Sequence, residues 1–144
     1  YPQSAGEKQH VAFIYKTSTV QPIFNESKPL LASIHPFYNG GDGSALVNYP
    51  SATDRFYASG RLPYMFVVDA TINDVTRKLN IVNIHARANS GSDAQNRYDM
   101  RKYDVEVLKD SLDTYYSDAQ VIIMMMLTKQ WRILRQLQAL MKHM

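Results

Sequence analysis

The hydropathy pattern of this chain predicts an α+β fold, and three observations carry that expectation. Two β-prone runs, residues 62–73 and 78–85, follow one another across a short polar turn. An amphipathic helix begins at a capping motif near residue 92. A further apolar run, Val121-Ile122-Ile123, comes directly after that helix.

Along the chain, His10-Val11-Ala12-Phe13-Ile14-Tyr15-Lys16 is apolar and β-prone, and residues 17–23 continue it after a polar turn, so the pair reads as two strands. Residues 25 to 60 are rich in Asn, Ser, Pro and Gly and show little periodicity. They are expected to form a long loop with at most one short helix or strand, sharpest in its turn signal at Asn39-Gly40-Gly41-Asp42-Gly43-Ser44. No Gly-Lys-Ser or Gly-Lys-Thr follows those glycines, which argues for a turn over a phosphate loop.

The runs at 62–73 and 78–85 hold enough Val, Ile and Phe to lie in a central sheet, joined by the turn Asn73-Asp74-Val75-Thr76-Arg77. Ser92-Asp93-Ala94-Gln95 reads as a capping box. The helix behind it is expected to bury Tyr98, Val105, Leu108, Leu112 and Tyr115, and to stop near Ser117-Asp118. Val121-Ile122-Ile123 reads as a buried strand. Trp131, Leu134, Leu137 or Gln138, and Met141 mark a second amphipathic helix. On this reading residues 1–119 form one unit and 120–144 a strand with a basic helix.

Composition sets outer bounds. A chain of 144 residues, 45% hydrophobic and 20% charged, suits one globular domain. Without cysteine it has no disulfide, thiol nucleophile or thiolate metal site, so any metal would need oxygen or imidazole ligands. The net charge of +3 comes from the tail, since Lys129, Arg132, Arg135 and Lys142 lie in the last sixteen residues and the remainder sums to −1. The basic balance is therefore weak support for nucleic-acid binding by the domain itself. No run reaches the roughly 18 apolar residues of a membrane span. The start, without Met or a signal-peptide core, reads as the interior of a longer chain. Asn25-Glu26-Ser27 fits the glycosylation triplet, a pattern common by chance.

Gly60-Arg61-Leu62-Pro63-Tyr64 opens the first central run, and Asn83-Ile84-His85-Ala86-Arg87 closes the second. This order of Arg-x-Pro, strand, turn, strand and Asn-x-His resembles the middle of the endonuclease/exonuclease/phosphatase superfamily over roughly residues 10 to 123. The resemblance implies a DNase-I-like, four-layer α/β/β/α sandwich, incomplete here. It implies a Mg²⁺-dependent nuclease- or phosphatase-type hydrolase acting on a phosphoester, nucleic acid among the candidates. Carried over, Arg61 holds phosphate bidentately, His85 acts on a phosphoryl oxygen, and Asn83, on the same side of the strand, supports the histidine. Read without the resemblance, these are a surface arginine at a strand entrance and a strand-end histidine. Arg55 and Tyr57 precede the arginine motif and could line the cleft. His35 has no carboxylate at metal-ligand spacing and reads as a loop residue, and no Gly-x-Ser-x-Gly elbow supports a serine hydrolase.

The family's metal signature, Gly-Asp-(Phe or Tyr)-Asn-Asp, belongs immediately after the strand that follows the helix, but residues 119–129 contain no acid. Three consecutive methionines fix nine bases, and a frame starting on the third base of each codon reads Asp-Asp across them. With permitted codons, Gln120 through Leu127 read Gly-Asp-Tyr-Asn-Asp-Asp-Val. The expectation is that residues from about 120 onward are out of frame and that the chain as written hydrolyses little. The competing account is a genuine strand and basic helix in a non-catalytic module whose tail docks on a partner or an anionic membrane.

Overall fold

The computed structural model describes residues 11–87 and 93–126. It is an α+β unit built on one five-stranded mixed sheet. Strands β1 (Val20–Pro22) and β2 (Lys28–Pro29) both pair antiparallel with β3 (Tyr64–Ile72). β3 forms a long antiparallel hairpin with β4 (Val75–His85), and β5 (Val121–Met126) adds parallel to β4. Between these lie α1 (Phe56–Gly60) and α2 (Ala94–Tyr115), the second carrying the crossover that a parallel strand requires. Among the described residues no helix is long and apolar enough to cross a membrane.

The hairpin is tighter than the sequence suggests. Asn73 and Asp74 alone make the turn, both with positive φ (49° and 63°), the pattern whose twist matches that of the flanking strands. Val75, Thr76 and Arg77, expected in the turn, are the first residues of β4 and face solvent.

Alternation along the hairpin divides its residues between two faces. Met65, Val67, Val82 and Ile84 point to one side, where they pack with Met100, Leu108 and Leu112 of α2 and with Leu30, Leu46, Phe56, Tyr57 and Leu62 from the preceding loop. Asn83 and His85 point to the other side with Ile81. The buried stripe of α2 is Met100, Asp104, Leu108 and Leu112, each four residues on. Leu108 and Leu112 are buried as expected, but Tyr98, Val105 and Tyr115 are exposed, which corrects that part of the expected face. A buried carboxylate interrupts the apolar stripe, so the hydrophobic pattern points to its neighbour. Asp93, without a side-chain cap, precedes the helix, and Gln95 bonds Asp99. Ser92 and the expected tail helix at Trp131, Leu134, Leu137 or Gln138 and Met141 lie outside the described residues.

Two further expectations change. Residues 11–16 do not pair as a strand. They lay Phe13 and Tyr15 against Phe66 on the second face of the sheet, with ring centroids 4.7 and 5.7 Å away. β5 forms where a strand is expected but is not buried, since Ile123, Met124 and Met125 are each at least 40% exposed at the edge of the sheet.

The long loop between β1 and β3 is ordered by its polar contacts. His35 is fully buried. Its Nε2 lies 3.1 Å from the Phe56 carbonyl, and its Nδ1 accepts from the Phe37 amide at 3.1 Å, a pattern that sets a neutral imidazole with the proton on Nε2. Burial lowers its pKa. Gly41 runs so close to this turn that a Cβ would stand 2.0 Å from the His35 carbonyl oxygen.

Candidate functional site: a cationic cluster at the hairpin's open end

α1 is a left-handed turn. Tyr57, Ala58 and Ser59 have φ of 43°, 52° and 65°, and Gly60 follows at 90°. L-residues resist this conformation by roughly 1–2 kcal/mol each, and it persists only where the surroundings over-determine it. Here they do. Phe56, Tyr57 and Ala58 are buried, the Tyr57 hydroxyl donates to the Asp104 main-chain oxygen at 2.6 Å, and the Tyr38 hydroxyl donates to the Gly60 carbonyl at 2.9 Å.

The turn delivers Arg61 to the start of β3. The Arg61 amide closes on the Tyr57 carbonyl at 2.9 Å, and its Nε donates to the Ala58 carbonyl at 3.1 Å, so backbone and side chain are both tied to the turn. Pro63 is buried and leaves its carbonyl to accept from Leu30 at 2.8 Å, which fixes the entry to the strand.

His85 is the last residue of β4 and half-buried. Its pKa lies below the ordinary histidine value, first because burial disfavours the imidazolium and second because the Arg61 charge is near. The structure thus brings together Arg61 and His85. Asn83 lies two residues back on the same face, opposite Tyr64 of β3.

Two cations that the sequence motifs leave out complete the cluster. Arg87 reaches back so that Nη2 donates to the Arg55 carbonyl at 2.8 Å, and that carbonyl also accepts from the Tyr49 hydroxyl at 3.1 Å. Burial lowers the Arg87 pKa, and the nearby Arg55 and Arg61 charges lower it further against opposing effects of Tyr49 and Asp104. Its Nε is buried and has no hydrogen-bond partner among the described residues. Sequence reasoning mentions Arg55 only as a cleft residue and passes over Arg87, although Arg87 stands two residues beyond His85. The Arg61 charge is felt at both His85 and Arg87, while the exposed Arg55 guanidinium turns to Ser51 Oγ at 3.4 Å; a charged group beside a half-buried imidazole favours an anion with several acceptor oxygens.

The Mg²⁺ that the resemblance implies does not fit these residues. Among the described residues no group of three or more His, Asp or Glu could hold a metal. The carboxylate near Arg87, Asp104, is buried, and burial pushes its pKa up to about 7. A carboxyl that holds its proton up to neutral pH is a weak metal ligand, since a ligating carboxylate must be deprotonated.

No family model matches the chain, and neither curated proteins nor solved structures match it.

Proposed function

We propose that this chain carries the phosphoryl-binding part of a phosphoester hydrolase, nuclease- or phosphatase-like, related to the endonuclease/exonuclease/phosphatase superfamily and its DNase-I-like sandwich. The observation that carries the reading is that Arg61 stands near both His85 and Arg87, whose buried Nε has no hydrogen-bond partner among the described residues. The Arg-x-Pro and Asn-x-His motifs support it independently.

In this reading Arg61 clamps two phosphoryl oxygens, and Arg87 adds charge that neutralises a developing anion. His85 is held neutral near pH 7, so it donates one hydrogen bond to a phosphoryl oxygen or takes a proton at its free nitrogen. Asn83, on the same face of the strand, supports the histidine. Hydrolysis belongs to the intact parent. The chain as written binds phosphate and turns over little.

Inorganic phosphate titrated calorimetrically into wild type and Arg61→Ala at low salt is the test. Binding weakened about tenfold or more by the substitution is the expected result, in line with loss of a charge-assisted bidentate contact. Equal affinity in both proteins would remove the reading. In an intact parent, His85→Ala is expected to disable hydrolysis, and unchanged turnover of nucleic acid and small phosphoesters would sink the catalytic assignment.

A further inference from the structure

Asp104 interrupts the apolar stripe of α2 at 4% exposure, and the phosphoryl reading gives its carboxyl no task. Its surroundings tie it to the cations. Asp104 Oδ1 faces the Tyr57 amide at 3.5 Å, and Arg87 Nη2 donates to the carbonyl of Arg55, two residues before that tyrosine. Arg101, three residues before Asp104 on the same helix, donates from Nη1 to the Arg87 carbonyl at 3.3 Å. Asp104 and Arg87 are thus held against the same short segment, and each feels the charge of the other.

Three tyrosines also face Asp104: Tyr57 from α1, Tyr49 from the loop before it and Tyr103 from α2 itself. Burial first and the Asp104 charge second raise the pKa of each hydroxyl, so all three stay neutral. Arg87 is then the charged group that answers a charge on Asp104. Its buried Nε has no hydrogen-bond partner among the described residues, and a donor in that state is open to one acceptor, an ionised Asp104 or a bound anion. Burial brings the Asp104 titration to about pH 7, within the physiological range. A carboxylate formed there sets a negative charge near Arg87 in a site that water and salt screen poorly.

We propose that Asp104 is a proton-linked regulator of the anion site: ionised, it neutralises Arg87 and weakens anion binding, and protonated, it leaves the Arg87 charge to the anion. The inference rests on the phosphoryl reading above and adds the regulation of that site. By linkage the effect is reciprocal, so a bound anion makes Asp104 hold its proton more tightly.

Sulfate is the probe, because it keeps its double charge where phosphate titrates. The 144-residue chain is titrated calorimetrically with sulfate as wild type, Asp104→Asn and Arg61→Ala, one pH unit either side of the Asp104 value, at about pH 6 and about pH 8. Asparagine keeps the main-chain oxygen that Tyr57 uses and an oxygen towards the Tyr57 amide. His85 and the other groups titrate in both proteins, so the difference between them isolates Asp104. Wild type is expected to bind sulfate about fivefold more weakly at the higher pH than Asp104→Asn does, the lower end of couplings between linked sites. A second measurement needs no variant: the Asp104 side-chain carbon is titrated by NMR in wild type, with and without saturating sulfate, and its pKa is expected to rise when sulfate is bound. The same pH dependence in wild type and Asp104→Asn, or an Asp104 titration that sulfate leaves unmoved, overturns the regulator. If sulfate binding is then still weakened in Arg61→Ala, the phosphoryl reading stands. Absence of sulfate binding at both pH values overturns both.

Discussion

Tyr57 and Asp104 lock the helix to the left-handed turn. The Tyr57 hydroxyl donates to the Asp104 carbonyl at 2.6 Å, and the Tyr57 amide faces Asp104 Oδ1 at 3.5 Å, so one tyrosine meets both the main chain and the side chain of one aspartate. The residues are 47 apart in sequence, and the contact holds the turn that presents Arg61.

Tyr57→Phe removes only the hydroxyl and leaves a buried carbonyl without that donor. The carbonyl keeps its place in the helical ladder of α2, so stability is expected to fall by about 0.5–1.5 kcal/mol, the range for one net hydrogen bond. Chemical denaturation measures it. Because Arg61 hangs on the same turn, phosphate affinity should fall as well, which a purely local loss of stability would not produce.

The Asp104 carboxyl has a folded-state pKa raised to about 7 by burial, against an ordinary value of 3.8. The folded state therefore holds this proton over a range in which the unfolded state has lost it. Its contribution to stability is full below about pH 4 and falls as pH rises towards 7, beyond which it is flat. His35 and His85, both with lowered pKa values, act in the opposite sense and lose stability as pH falls below their unfolded value. The Asp104 contribution is read from the difference between wild type and Asp104→Asn. That difference is expected to shift against wild type between pH 4 and 7, and a constant difference would contradict the burial account.

Gly41 and Gly40 are neighbours with different reasons to be glycine. A Cβ at Gly41 would meet the His35 carbonyl oxygen at 2.0 Å, whereas one at Gly40 meets nothing within 4 Å but suffers a φ of 75°. Gly41→Ala is expected to displace the His35 turn and to cost more than 3 kcal/mol or prevent folding, as severe steric lesions in a packed site do, while Gly40→Ala costs about 1 kcal/mol. Thermal unfolding of the two variants side by side tests this order.

Much of the fold was legible because its signals are local. The β3–β4 hairpin, the helix after it and the strand at Val121 all follow from apolar runs separated by turn residues. The buried face of α2 was legible only at Leu108 and Leu112, because Asp104 occupies a core position and breaks the apolar spacing that these two and Met100 otherwise define. His35 hid for a related reason. A histidine between Ile34 and Pro36 in a glycine-rich loop carries no pattern, and its burial comes from Phe56, 21 residues away. At the site, Arg61, Asn83 and His85 were readable as motif positions. Arg87 was not, since its place beside Arg61 and Arg55 depends on where the strand ends, a tertiary fact.

The coding DNA across codons 117 to 144 gives a separate prediction. The acid-free strand Val121–Met126 lies where the resemblance asks for a metal-binding acidic motif. A frame shifted to the third codon base is expected to stay open and to read Gly-Asp-Tyr-Asn-Asp-Asp before reaching a downstream Asp-His motif. Stop codons in every alternative frame would make the strand and its basic tail genuine and favour a non-catalytic module.

The most direct test of the cationic cluster is the titration of His85 by NMR, in buffer and in saturating inorganic phosphate, with its resonance assigned by His85→Gln. Without phosphate its pKa is expected below the ordinary histidine value, from burial and the Arg61 charge; with phosphate bound it should rise, as the dianion offsets that charge. An unchanged titration at saturating phosphate, or one already at the ordinary value in its absence, would contradict a phosphoryl site at Arg61 and His85.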